Sequence, residues 1–306
     1  MKFFNSLFRK KTKKLVTHSG SFHSDDIFAC ATICIALEKE GKSFEIIRTR
    51  DPKIIKSGDI VFDVGGIYNP DINRFDHHQI GGAKKRDNGI ECSSFGLVWK
   101  KYGEKICGSK EVADFINKKL VMPVDAFDNG MDLVESKHEV NYYLVQNFFM
   151  SFIPSWKCRN EKTLLDGFLK AVKVAKELLL REISFTKDLV ESRKEILRCY
   201  DESKDKRFIV LDKKYPWEEE MSKFAEPLFV IFPRHGGNWG AEGVLINMSS
   251  FKRRKYFPQA WAGLSDGELA KVSGVSDSVF CHRGIFMVVA KSKEGIIKLV
   301  EKALNE

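Results

Sequence analysis

The sequence predicts an α/β protein. Its N-terminal half reads as a doubly wound, mainly parallel sheet, followed by a helical connector and a smaller C-terminal α/β or α+β lobe. Three observations predict this. Short apolar runs alternate with helical patterns from residue 14 to residue 77, the β-α-β-α-β rhythm of a parallel sheet. Histidines and aspartates gather at the carboxyl ends of those runs, where open α/β sheets hold their ligands. After residue 207 the pattern changes to short apolar runs separated by polar or glycine-containing turns, and it closes on a helix.

Taken in order, the acid-free start MKFFNSLFRKKTKK (1–14) reads as a basic tail, an organelle-targeting segment or a nucleic-acid-binding arm. Lys14–His18 reads as a buried strand and Ser19–Ser24 as a small-residue loop. Asp25 or Asp26 then caps a helix reaching about Lys39, which Gly41 stops. Phe44–Arg48 is the next strand, Asp51-Pro52 opens a short helix or turn, and Asp59–Val64 is a strand ending at Gly65-Gly66. Asn69-Pro70 makes a turn, and Arg74–His77 leads into Asp76-His77-His78. Helices are predicted at Ser94–Tyr102 and Lys110–Leu120, then an acidic turn at Met122–Gly130. The metal-binding domain so defined covers 15–133. A helical connector covers 134–206, broken at Pro154 and containing helices at Leu164–Arg181 and Phe185–Tyr200. In the last lobe (207–306), strands are predicted at Phe208–Leu211, Leu228–Phe232, Glu242–Asn247, Val279–His282 and Phe286–Ala290, with a closing helix at Lys293–Leu304.

Composition narrows the class. Of 306 residues, 43% are hydrophobic and 30% charged, as in ordinary globular proteins, and no apolar run is long enough to span a membrane. The net charge of +9 favours an anionic partner, nucleic acid or another polyphosphate, over a lysine-rich background. The seven cysteines (Cys30, Cys34, Cys92, Cys107, Cys158, Cys199, Cys281) form no Cys-x-x-Cys pair. They read as reduced residues of an intracellular protein. The cytoplasm is the expected compartment, with nucleus and mitochondrion compatible. A homodimer is also compatible with the sequence.

The chemistry lies in three clusters. His18, His23 and Asp25 are spaced so that one compact loop can turn all three onto a metal ion, histidine being a ligand when neutral. Asp63 ends an apolar strand, and its two oxygens suit it to bridge two ions. In Asp76-His77-His78, consecutive strand-end side chains project in opposite senses, so one histidine can ligate metal while the other meets substrate. Asp76 would orient a histidine ring. Either Asp125 or Asp128 completes the site. Asp125 is taken as the ligand, and Asp128 as a supporting partner or cap. In the last lobe Arg234, His235, Arg253, Arg254 and His282 could hold phosphates by charge-assisted hydrogen bonds, and Trp239, Trp261, Phe251 and Tyr256 could stack on bases.

These motifs resemble the DHH phosphoesterase superfamily, and more closely its melanocyte-proliferating-gene (MYG) group. The likeness rests on THSGSFHSDD (17–26), RTRDP (48–52), FDVGGIYNP (62–70), RFDHHQ (74–79), DAFDNG (125–130) and PQAWAGLSDGELAKVSGVSDSVFCHRGIF (258–286), and it spans nearly the whole chain. It implies a DHH-type domain, a substrate lobe, two manganese or magnesium ions, and 3′-to-5′ exonuclease action on RNA or single-stranded nucleic acid. By that resemblance His18, His23, Asp25, Asp63, His77 and Asp125 match metal-ligand positions. His78 matches a substrate-facing position, and His282 a histidine of the C-terminal lobe. Asp76, His77 and His78 are the expected catalytic triplet. Two departures stand out. His23 takes the place of an aspartate in the first motif, and Gly236-Gly237 is only a loose counterpart of the superfamily's phosphate loop. Two other readings compete with the exonuclease: a pyrophosphatase or short-oligonucleotide hydrolase, and a non-catalytic RNA-binding protein.

Overall fold

The computed structural model describes residues 12–136 and 138–306. The chain forms two compact units, one ending at Lys187 and one beginning at Asp188. Of the basic start expected over 1–14, residues 1–11 lie outside the described residues. Lys13 and Lys14 are already strand.

In the first unit β1 (Lys13–Thr17), α1 (Ser24–Lys39), β2 (Phe44–Arg48), α2 (Pro52–Ser57), β3 (Ile60–Phe62), β4 (Tyr68–Asn69) and β5 (Arg74–Phe75) build a sheet of order β2-β1-β3-β5-β4. Every pairing is parallel except that of the short β4 with β5. The chain passes from β1 to β2 on one side, then returns to lay β3 on the other side of β1. That reversal opens a crevice between the carboxyl ends of β1 and β3, and His18 and Asp63 are the residues that follow those two ends. Val16 and Val61, paired in register, pack with Ile55 of α2 on one face. Strand alternation turns Leu15, Ile60 and Phe62 to the other. Asp51 caps α2, accepting from the Lys53 amide at 2.8 Å, with Pro52 in the first turn.

Helix α1 is buried from Ser24 to Leu37 on all sides. Phe28 stacks on Phe95 of α3 (Ser94–Cys107) with ring centroids 5.0 Å apart. α4 (Lys110–Ile116) passes through a π-helical turn at Asn117–Val121 into α5 (Met122–Asp128). α6 (Val145–Met150) follows, and its Phe149 meets Phe28 edge-on at 5.1 Å.

Local expectations change in four places. Asp25 and Asp26 do not cap α1 from outside, because the helix starts at Ser24 and both carboxylates lie buried in its first turn. The acidic turn at 125–128 is helix, because Pro123 suits a first turn and Asn129-Gly130 ends it. Residues 131–136 and 138–144 form no helix, and their exposed Val, Tyr and Asn residues explain why. The two helices expected between 164 and 200 are one, α7 (Glu161–Glu202), since nothing between Arg181 and Phe185 breaks it.

The second unit begins within α7. β6 (Phe208–Val210), α8 (Glu218–Ser222), β7 (Phe229–Pro233), β8 (Trp239–Gly243), α9 (Asp266–Ser273), β9 (Ser278–Cys281), β10 (Met287–Ala290) and α10 (Lys293–Asn305) follow in order. The sheet runs β6-β7-β8-β10-β9, parallel only between β6 and β7. It is therefore an α+β lobe. One face of α10, Ile296, Leu299, Val300 and Ala303, packs with Phe229, Ile231 and Ala241. The strand expected at 242–247 lies at 239–243. Arg234 donates its amide to the Asn238 carbonyl at 2.7 Å, and the hairpin turns through Gly236 and Gly237, both at positive φ. Among the described residues no helix is long and apolar enough to cross a membrane.

Candidate metal centre

The crevice between β1 and β3 gathers His18, His23, Asp25, Asp63, His77 and His78, together with Asp26 and Asp128. His18 Nε2 stands 3.2 Å from Asp26 Oδ2 and 3.1 Å from Asp63 Oδ2. His77 Nε2 stands 3.3 Å from both Asp63 Oδ1 and Asp128 Oδ2, and 3.7 Å from Asp25 Oδ2. Three groups result whose donor atoms lie within 4.8 Å of one another: His18-Asp26-Asp63, Asp63-His77-His78 and His23-Asp25-Asp128. Asp63 belongs to two of them. Its backbone is left-handed, with φ +54°, a strained setting for any residue but glycine and one that functional sites tolerate. Ser94 Oγ donates to Asp63 Oδ1 at 3.1 Å and to the Phe75 carbonyl at 2.9 Å, which fixes the carboxylate against β5.

The electrostatics are those of crowded, buried anions. Burial first, then the charges of Asp63, Asp128 and Asp26, push the Asp25 carboxyl well up. Both Asp25 oxygens are buried without a hydrogen-bond donor, and Asp26 Oδ2, equally buried, faces His18 Nε2 at 3.2 Å. Asp25 and Asp128 face one another, and two such carboxylates need a proton or a cation between them. Burial would lower His18, yet Asp26 and Asp63 push it up to about 10. Burial would raise Asp63, yet His18 and His77 hold it well below the usual carboxylate range. Imidazole nitrogens and carboxylate oxygens together suit a divalent ion of intermediate hardness. The donor-less buried oxygens show that the residues present fit one.

Asp76 does something different. Its Oδ1 accepts from the His77 amide at 2.8 Å, the His78 amide at 3.2 Å and His78 Nδ1 at 2.7 Å, and its Oδ2 accepts from the Gly66 amide. The turn is thereby locked and the His78 ring oriented. His78 is 61% exposed in its side chain, so its Nε2 is the nitrogen open to a ligand.

Asp125, the expected ligand, stands outside the three groups. Its Oδ1 accepts from Ser93 Oγ at 2.6 Å, the Ser93 amide at 3.2 Å and the Gly96 amide at 2.9 Å, and its Oδ2 takes the Arg86 guanidinium. It anchors the start of α3. The approach needs a glycine, since a Cβ at Gly96 would lie 2.1 Å from Asp125 Oδ2. Asp128, one helical turn on, is the carboxylate that the structure brings to His23, Asp25 and His77. Sequence reasoning set Asp26 beside Asp25 without giving it a ligand's role, and it left out Ser94 and Arg86. The spacing of His23 and Asp26, whose Oδ1 accepts the His23 amide at 3.0 Å, was the available sign for Asp26.

In the second unit the basic candidates divide. Arg254 spends its guanidinium on the carbonyls of Ser222 (2.7 Å), Pro227 (3.2 Å) and Phe224. Arg253 donates to the Gly243 carbonyl at 2.9 Å and lies over the Phe286 ring at 5.3 Å. The centroid of that ring is 4.3 Å from His282, whose Nδ1 accepts from the Gly284 amide at 2.9 Å, leaving Nε2 to donate outward. Arg234 Nη1 meets Met287 Sδ at 3.3 Å, and His235 is exposed on the hairpin turn. Of the aromatics, Trp261 is core, Trp239 is partly covered, and Tyr256 and Phe251 are exposed.

A family model, MYG1_exonuc, described as an uncharacterised protein family (UPF0160), matches residues 14–304. The MYG1 exonuclease of Mus musculus is 31% identical over 329 residues, spanning 96% of this chain and 85% of the relative. The MYG1 protein of Dictyostelium discoideum is 28% identical over 321 residues, spanning 95% and 96%. A solved structure, RecJ in complex with Mn2+ from Thermus thermophilus, aligns over 96% of this chain and 52% of that one, at 11% identity and a TM-score of 0.28. That superposition is too loose to argue from.

Proposed function

The chain belongs to the MYG1_exonuc family, and on that footing we propose that it is a metal-dependent phosphodiesterase that shortens RNA or single-stranded nucleic acid from the 3′ end. The observation that carries the reading is Asp63, shared by two donor groups and flanked by buried carboxylate oxygens that have no donor of their own. Asp63 would hold two ions, with His18 and Asp26 completing one set and His77, Asp25, Asp128 and His23 the other. Two divalent ions there, manganese or magnesium, would neutralise the phosphate and lower the pKa of a bound water. His78, oriented by Asp76, would hold a proton or a phosphate oxygen at Nε2. Arg253 and His282 are proposed as phosphate contacts from the second unit. A polymer substrate is favoured by the net charge of +9 and by the exonuclease name that the mouse relative carries. A pure RNA-binding module has no use for buried carboxylates that burial destabilises.

The test is cleavage of 3′- and 5′-labelled single-stranded RNA with and without manganese, beside a variant carrying Asp76→Ala and His77→Ala. Manganese-dependent, stepwise loss from the 3′ end, absent in the variant, is the expected result. Equal turnover by the variant would refute the proposed site, and cleavage of pyrophosphate alone would refute the polymer substrate.

A further inference from the structure

A cavity of about 140 Å³ opens directly on the third donor group, lined by His23, Ser24, Phe127, Asp128, Gln146 and Met150. Two of its walls belong to the proposed metal centre, and the others have no part in it. Phe127 is 44% and Met150 48% exposed, and both lie beside the buried Asp25. Gln146 is the opposite, a polar side chain only 4% exposed. Its Nε2 donates to the Pro123 carbonyl at 3.4 Å, which leaves its carbonyl oxygen as the acceptor available to the cavity.

We propose that this cavity is the base subsite, seating the nucleobase of the nucleotide whose phosphate lies at the metal centre. The inference rests on the phosphodiesterase reading and sharpens its substrate class. A group entering here is attached to whatever His23 and Asp128 hold, so it is the neighbour of the reacting phosphate. A second phosphate is a poor neighbour, because Asp128 faces the cavity and, among the described residues, neither Lys nor Arg lines it. A flat heteroaromatic ring is a good one. Phe127 offers a face for stacking, Met150 a polarisable thioether for the ring edge, and Gln146 one hydrogen-bond acceptor. At about 30 Å³ per water, the volume equals roughly four or five waters, so it takes a single base and not a stacked pair. The Gln146 acceptor selects an N–H edge while imposing little sequence preference.

The experiment is calorimetric, on the full chain with manganese present. Uridine 5′-monophosphate, ribose 5-phosphate and inorganic phosphate are titrated into the wild type, Phe127→Ala and Phe127→Trp. The nucleotide is expected to bind at least tenfold tighter than ribose 5-phosphate, which has everything but the base. Phe127→Ala should bring the two together while leaving the inorganic phosphate affinity unchanged, and Phe127→Trp should restore the gap. Equal affinities in the wild type, or a gap that survives in Phe127→Ala, would overturn the inference. RNA cleavage is measured separately. A base preference without cleavage sinks the nuclease reading and spares the subsite, and cleavage without a base preference does the reverse.

Discussion

Asp25 and Asp125 are both carboxylates at 0% exposure, each in the first turn of a helix, yet their surroundings are opposite. Asp125 is surrounded by donors: a guanidinium, a hydroxyl and two amides. Asp25 is surrounded by other acids and has no donor on either oxygen. Burial therefore does not mark a metal ligand, and want of a partner does. A saturated carboxylate binds the protein to itself, while an unsaturated one is kept at a cost that a proton or a cation must offset.

The comparison breaks most sharply under substitution. Asp125→Ala leaves Arg86 buried and uncompensated and should lower unfolding free energy by about 3–5 kcal/mol, read by chemical denaturation of the metal-free protein. Its metal stoichiometry, measured at low temperature on the folded fraction, should not change. Loss of metal with full stability retained would reverse the roles assigned here. Asp25→Asn should do the opposite. Turnover should fall roughly 10²–10³-fold, while the metal-free Tm holds or rises, because a crowded buried acid has been replaced by a neutral amide. A large drop in that Tm would make Asp25 a structural residue.

Metal should then separate the two carboxylates a second way. Manganese at a hundredfold excess over its Kd should stabilise the wild type by about 2.7 kcal/mol per site. Asp125→Ala should keep that gain, measured from its own lower baseline, and Asp25→Asn should lose most of it. Equal gains in both variants would place the ion elsewhere.

The sequence made the sheet and most of the cluster legible because both depend on local signals. Apolar runs of strand length, the Asp51-Pro52 helix start and the histidines after strand ends are all read within a few residues. The choice between Asp125 and Asp128 is not local. It turns on Arg86, 39 residues away, on Ser93 and on the missing Cβ of Gly96. Nothing in DAFDNG announces those partners, and three residues of spacing put both carboxylates on one helical face. The role of Asp26 was hidden for a related reason. A paired aspartate at a helix start reads as a cap until the helix is seen to be buried on every side.

The smallest effect concerns protons, and its sign follows from the shifts. His18, raised to about 10, is protonated near neutral pH in the metal-free protein, and His77, whose burial is outweighed by Asp63 and Asp128, holds its proton above the usual imidazole range. Asp25 is raised as well and holds its proton upward of the usual carboxylate range. Each must deprotonate to ligate. Asp63 is shifted the other way and contributes nothing near neutrality. Metal binding at pH 7 should therefore release protons, and affinity should climb as pH rises toward 10, by about 1.4 kcal/mol per pH unit for each proton released. Asp125 carries no part of this, so Asp125→Ala should release as many protons as the wild type, and Asp25→Asn fewer. Manganese titrations in two buffers of different ionisation enthalpy read the number directly. Identical heats in both buffers would mean that no proton leaves, and that the ion does not contact these histidines.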